Sequence, residues 1–238
     1  MSVLFLSHRG ESDDAPENTL SAFTLAMERN SDGIELDVRL TADKQVVCCH
    51  DADLKRVAGV PLTVADSTLA ELRRHYPVPL LSEAIAILRN DAIMQIELKG
   101  SPELIPYCRE VITEFSHYER FTISSFEKDT IAAAADAFPD FQRVLLTDLV
   151  GEFGHFPSAR EVCAFLAPLK CGISFKADFD ATADFVDQLH AADLRVVGWG
   201  VSSDELGLHL AAIKVDAMTC NHAVALREKF RKISNTQK

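Results

Sequence analysis

The sequence has no apolar run approaching the roughly 18 residues that a membrane-spanning helix needs; its first apolar stretch, residues 3–6, is only strand length. A transmembrane role is excluded. Basic residues are also scarce: 24 Lys and Arg stand against 36 Asp and Glu, a formal net charge of −12. Affinity for a phosphate backbone comes from clustered cations, so no nucleic-acid partner is expected, and stable association with an anionic membrane is disfavoured for the same reason. The six cysteines (Cys48, Cys49, Cys108, Cys163, Cys171 and Cys220) form no C-x-x-C pair. The opening Met-Ser-Val-Leu-Phe-Leu carries neither a basic n-region nor a small-residue cleavage site. A reduced, cytoplasmic protein is expected. No linker, low-complexity stretch or charge block divides the 238 residues, of which 47 % are apolar, so 1–238 reads as a single domain with a core large enough to need no disulfide.

What is present is an alternation of periods. Short runs rich in Val, Ile and Phe at 3–7, 33–40, 45–50, 92–99, 121–125, 143–147, 171–175, 195–201 and 215–220 read as strands covered on both faces. Between them Leu20, Phe23 and Met27 recur at helical spacing, as do Leu81, Ile85 and Leu88 after a Ser82/Glu83 start signal. Further helical patterns cover 102–115, 128–138, 159–166, 182–192, 204–213 and 223–232. One strand is surplus to an eightfold barrel. Only about five residues separate Leu40 from Val46, too few for a parallel crossover, so those two strands should form an antiparallel hairpin. Setting the hairpin aside leaves eight β-α units, and the expected architecture is a TIM (β/α)8 barrel.

In such a barrel chemistry sits at the C-terminal strand ends. There the first units carry Ser7-His8-Arg9-Gly10, Glu35-Leu36-Asp37, His50-Asp51 and Glu97-Leu98-Lys99. Side chains two apart share a strand face, so Glu35 with Asp37 and Glu97 with Lys99 point together while Leu36 and Leu98 face the helices. A hairpin turn centred near Asp43 gives pairs whose numbers sum to about 86 and returns His50 beside Leu36, within reach of the carboxylates. Three converging carboxylates repel unless they bind a proton or a counter-ion, and oxygen-only ligands suit Mg²⁺ or Ca²⁺; the absence of H-x-x-x-H argues against zinc. The alternative is a set of interior ion pairs among Glu35, Glu97 and Lys99. His8 and His50 suit acid/base chemistry, or else core or capping roles, and the planar fork of Arg9 suits a phosphate oxygen. His75, His117, His155, His190, His209 and His222 have no such company and read as surface or packing residues.

The ordered set His8-Arg9-Gly10, Pro16-Glu17-Asn18-Thr19, Glu35-x-Asp37-Val38, His50-Asp51, Glu97-Leu98-Lys99, Ser125-Phe126 and Trp199 resembles the glycerophosphodiester phosphodiesterase family, from residue 7 to about residue 221. The resemblance implies a TIM-barrel hydrolase that cleaves glycerophosphodiesters to glycerol 3-phosphate and an alcohol with Mg²⁺ or Ca²⁺. It implies Glu35, Asp37 and Glu97 as metal ligands, His8 and His50 as the acid/base pair, and Arg9 and Lys99 as phosphate contacts. Attack by the substrate's own 2-hydroxyl would give a cyclic phosphate that water then opens. Trp199 reads either as an apolar wall for glycerol or as barrel packing. The chain departs from the family at Cys220-Asn221-His222-Ala223, where a Thr-Asp pair followed closely by proline is usual, and at Gly200 and Ser202, where Thr and Asn are usual.

Residues 52–79 read as a short cap-like insertion that leaves the site open to small alcohols. Three other readings stand beside this one: a lysophospholipase D acting on lysophospholipids, a Schiff-base aldolase using Lys99, and a phosphodiester-binding protein without turnover.

Overall fold

The computed structural model describes residues 3–236; residues 1, 2, 237 and 238 of the expected 1–238 domain lie outside the described residues. Its organisation follows from the two-residue period of the strands. In β2 (Gly33–Leu40), Ile34, Leu36 and Val38 are fully buried in the layer that includes Phe23, Ala26 and Met27 of helix α1 (Leu20–Glu28). Their neighbours Gly33, Glu35 and Asp37 therefore point to the other face, the barrel interior. β4 (Ile93–Leu98) repeats the pattern, with Met94, Ile96 and Leu98 outward and Gln95 and Glu97 inward.

Seven further strands complete the sheet: β1 (Leu4–His8), β3 (Val46–Cys48), β5 (Phe121–Ser125), β6 (Gln142–Thr147), β7 (Gly172–Lys176), β8 (Val196–Trp199) and β9 (Ala217–Cys220). Eight of the nine are parallel, in the order β1-β9-β8-β7-β6-β5-β4-β2, and β2 pairs back with β1, which closes a TIM barrel. The ninth, β3, is antiparallel to the upper end of β2. Its pairs Val38–Cys48, Arg39–Val47 and Leu40–Val46 keep the expected register. β3 stops at Cys48, however, so His50 lies beyond the ladder rather than at its end; Cys49 makes the last bond, its amide donating to Asp37 O at 3.0 Å. The bottom of the barrel interior is apolar, with Leu6, Val144, Val197 and Ala217 clustered together.

The outer ring contains the expected helices and several that periodicity did not reveal. α4 (Leu81–Ala86) begins one residue before the Ser82 signal and ends before Leu88; its Glu83 carboxylate accepts from the Leu80 amide at 2.7 Å. α5 (Leu104–Thr113), α6 (Lys128–Ala137), α8 (Ala159–Leu166), α9 (Ala183–Ala191), α10 (Asp204–Ala212) and α11 (Ala223–Thr236) match the remaining patterns to within a few residues. Three short helices were not expected: α2 (Lys55–Ala58), α3 (Leu69–Leu72) and α7 (Leu149–Phe153). At four or five residues each, they are too short to show a helical period. α2 and α3 lie within residues 52–79, where Leu54, Val64, Leu72 and Val78 form a small core packed on Val47 and Cys49.

The turn from β1 into the site depends on two left-handed residues, Arg9 (φ 55°) and Gly10 (φ 82°). A Cβ on Gly10 would lie 2.6 Å from the carbonyl carbon of Ala22 in α1, so this position combines a conformation and a close approach that only glycine meets without strain. Gly10→Ala is expected to lower the unfolding free energy by at least about 2 kcal/mol, the sum of a left-handed penalty and local overpacking. Chemical denaturation checks this; a loss under about 0.5 kcal/mol would contradict it.

Candidate active site

Because Glu35 and Glu97 point inward near the C-terminal ends of adjacent strands, with Asp37 paired opposite Glu97 in the ladder, the three carboxyl groups meet in one buried cluster. One oxygen from each lies within 4.8 Å of the others. Two cations face them: Lys99 Nζ is 2.6 Å from Glu97 Oε1 and 3.2 Å from Asp37 Oδ1, and Arg9 Nε is 3.2 Å from Asp37 Oδ2. The balance differs from group to group. Burial, reinforced by Asp37 and Glu97, pushes the Glu35 carboxyl well above its ordinary range, and burial with Asp37 raises Glu97 to about 7. Burial acts on Asp37 too, yet Lys99 and Arg9 outweigh it and hold this carboxyl below its usual value.

Those residues fit a hard cation. Every donor is a carboxylate oxygen, two of the three groups resist ionisation in its absence, and buried Asp37 Oδ1 accepts no well-aligned hydrogen bond although Lys99 is close. Asn18 supports the cluster from the loop after β1. Its Nδ2 donates to Asp37 Oδ2 at 2.8 Å and its Oδ1 accepts from the Asp37 amide at 3.3 Å, which needs a left-handed backbone at φ 53°.

The histidines flank this cluster, His8 at the end of β1 and His50 in the loop after β3. His8 Nε2 is 3.9 Å from Glu35 Oε2, and its Nδ1 meets Asn221 Oδ1 at 2.7 Å. Burial, then the Arg9 charge, lowers the His8 pKa. His50 Nδ1 meets Asp51 Oδ1 at 2.6 Å, while Arg39 of β2 holds the His50 carbonyl through Nε at 3.0 Å and Nη2 at 2.8 Å. Burial lowers the His50 pKa as well, although Asp37 and Asp51 oppose the shift. An imidazole that is mostly neutral near neutral pH can both take up and release protons.

A cavity of about 520 Å³ unites these groups. His8, Arg9, Glu35, His50, Glu97, Lys99 and Trp199 all line it, and Asp37 lies behind Glu35 and Glu97. Opposite the charged wall, Phe126 and Trp199 meet edge to face with ring centroids 5.1 Å apart, and Lys99 Nζ sits 5.5 Å from the centre of the Phe126 ring. Trp199 thus belongs to the cavity wall. One expectation needs correction: His222, read as a surface or packing residue, lines the same cavity and pairs with Asp204 at 3.3 Å, because the turn after β9 brings it in beside Asn221. Roles for Glu17, Asn18, Arg39, Gln95 and Asn221 were not evident from sequence. Gln95 alone had a readable signal, two residues before Glu97 on the same face.

Known proteins similar to this chain are numerous. The sequence pattern of the "Glycerophosphoryl diester phosphodiesterase family" matches residues 8–225. A glycerophosphodiester phosphodiesterase of Caldanaerobacter subterraneus is 36 % identical over 143 residues, 53 % of this chain and 59 % of that protein. One of Bacillus altitudinis is 27 % identical over 248 residues, 94 % of this chain and 98 % of that protein. The matches to the Caldanaerobacter protein and to Bacillus subtilis YqiK span 59 % and 65 % of those relatives' lengths. Among solved structures, an Oleispira antarctica phosphodiesterase in complex with the product sn-glycerol-3-phosphate superposes with a TM-score of 0.84 at 25 % identity, covering 96 % of each chain. A Thermotoga maritima glycerophosphodiester phosphodiesterase, 24 % identical, shares the fold at a TM-score of 0.81 over 96 % of this chain and 99 % of its own. With nearly the whole chain matched by the family's pattern, this protein belongs to the glycerophosphoryl diester phosphodiesterase family.

Proposed function

We propose that the protein hydrolyses glycerophosphodiesters to glycerol 3-phosphate and an alcohol, with a divalent cation held by Glu35, Asp37 and Glu97. The observation that carries this reading is the meeting, in one cavity, of two histidines, two phosphate-competent cations and an acidic cluster. Mg²⁺ or Ca²⁺ bound there would acidify an attacking hydroxyl and neutralise charge developing on phosphorus. Arg9, which directs Nη1 to Glu17 and Nε to Asp37, keeps Nη2 for a phosphate oxygen, and Lys99 offers its ammonium from the facing side.

Proton transfer divides between the histidines. His8 is paired with the neutral amide of Asn221, a partner that does little to stabilise a positive charge, and it is suited to take the proton from the substrate's 2-hydroxyl. The new oxygen–phosphorus bond closes a cyclic phosphate as the bond to the alcohol breaks. His50, backed by the Asp51 carboxylate, delivers a proton to the departing alkoxide. Water then opens the ring as the proton transfers run in reverse.

Lys99 serves the aldolase reading poorly, because its ammonium is ion-paired with two carboxylates. We take 1–238 as one catalytic domain with 52–79 inserted in it. None of residues 52–79 lines the cavity, which supports soluble substrates with small alcohols over lysophospholipids. No helix of the described residues is long and apolar enough to cross a membrane. A reducing cytoplasm agrees with the six free cysteines.

Chelation is expected to abolish turnover, and Mg²⁺ or Ca²⁺ to restore it. The same cation should raise the thermal midpoint of the wild type and leave that of Glu35→Gln or Glu97→Gln unmoved. Because protons compete with metal at carboxylates whose pKa values are raised, the midpoint gain should shrink as pH falls through about 7, where Glu97 takes up a proton. Full turnover in thoroughly chelated protein would remove the metal from the account. His8→Ala and His50→Ala should fold normally and lose on the order of 10² to 10⁴ in kcat. Near wild-type turnover in either would remove that histidine from the reaction.

A further inference from the structure

The 52–79 insertion stands outside the cavity, yet one of its side chains reaches both halves of the catalytic apparatus. Arg56, in α2, directs three nitrogens at two carboxylates. Its Nη1 donates to Glu17 Oε2 at 2.7 Å, Nη2 to Glu17 Oε1 at 2.7 Å, and Nε to Asp51 Oδ2 at 2.6 Å. Each carboxylate passes the restraint inward. Glu17 Oε1 accepts from Arg9 Nη1 at 3.0 Å, and Asp51 Oδ1 meets His50 Nδ1 at 2.6 Å. The insertion holds the same loop a second time, through Tyr76, whose hydroxyl donates to Glu17 O at 2.7 Å.

Arg56 therefore ties the loop after β1, which carries a phosphate-binding residue, to the loop after β3, which carries an acid/base residue. Glu17 and Arg56 are 39 positions apart in the chain, and neither touches the cavity's reacting end. We propose that Arg56 is a positioning residue for the reaction: its guanidinium fixes Glu17 and Asp51 together, and through them it sets the placement of Arg9 and the orientation of the His50 ring. This rests on the phosphodiesterase reading above. The planar fork is essential to it, because a lysine ammonium at this position is a point charge that cannot meet two carboxylates along three fixed directions.

A purely structural role would show as lost stability, and the exposure of the ion pair speaks against that. The Arg56 side chain is 49 % exposed, and ion pairs so open to water contribute little to folding, so its removal should barely move the thermal midpoint. Misplacing catalytic groups by an ångström, in contrast, can slow a reaction about 10²-fold.

The test pairs kinetics with a readout that needs no turnover. In protein labelled with ¹⁵N-histidine, the His50 Nδ1 proton, identified by its disappearance in His50→Gln, should be protected from exchange in the wild type. It should be lost in Arg56→Gln and in Arg56→Lys. Both variants should keep a thermal midpoint within a few degrees of wild type while kcat on glycerophosphoethanolamine falls at least about tenfold. Lys44→Gln, which removes the exposed Lys44–Glu103 pair across the barrel rim, should change neither quantity. Retention of the proton in a folded variant overturns the proposal, as does a kcat within twofold of wild type or an equal loss in Lys44→Gln. If the wild type released no glycerol 3-phosphate, the phosphodiesterase reading would fail, and the dependence of the His50 proton on Arg56 would still decide this inference.

Discussion

Three carboxylates buried at the mouth of a barrel repel one another, two of them resist ionisation, and most of the unusual local structure near them answers that repulsion. Lys99 and Arg9 supply two positive charges against three acids, and Asn18 adds hydrogen bonds to Asp37 from both ends of its amide. Arg9 and Asn18 reach Asp37 from left-handed backbones, and Gly10 beside Arg9 is left-handed as well and packs closely on α1. Burial, reinforced by the remaining charge imbalance, pushes Glu35 and Glu97 upward, and a hard divalent cation would offset both. A protein selected for stability alone would place apolar residues here, as this one does at the barrel's lower end with Leu6, Val144, Val197 and Ala217.

The fold and the cluster were legible in sequence for the same reason. A strand period of two is rigid, so Glu35 with Asp37 and Glu97 with Lys99 could be assigned to one face once Leu36 and Leu98 were assigned to the helices. The short spacing between Leu40 and Val46 likewise settled the hairpin and its register, which the pairing of Val38 with Cys48 matches. What stayed hidden depends on chain segments distant in sequence. Asn221 meets His8 across 213 positions, and Arg56 meets Glu17 across 39, contacts that only closure of the barrel and docking of α2 create. His222 was misjudged on the same ground. Helices α2 and α3 escaped notice because four residues cannot display a 3.6-residue repeat.

The upper and lower ends of the barrel thus divide the work. Stability comes from the outer layer and the apolar floor, while the strand ends hold groups whose mutual repulsion is balanced by Lys99, Arg9 and the amide of Asn18. The departures at Gly200, Ser202, Asn221 and His222 all lie on the cavity wall apart from Glu35, Asp37 and Glu97, and one of them, Asn221, reaches His8 at 2.7 Å.

The central claim is that this cavity cleaves a glycerophosphodiester, and one assay addresses it directly. Metal-supplied protein is incubated with soluble glycerophosphodiesters such as the choline, ethanolamine and glycerol forms, and glycerol 3-phosphate is followed by a coupled reaction. The account expects glycerol 3-phosphate to accumulate with each, and kcat/KM to exceed that for a lysophospholipid by at least about tenfold, a transition-state preference of about 1.4 kcal/mol. No release of glycerol 3-phosphate from any of them would contradict it, and the reverse preference would make the protein a lysophospholipase D.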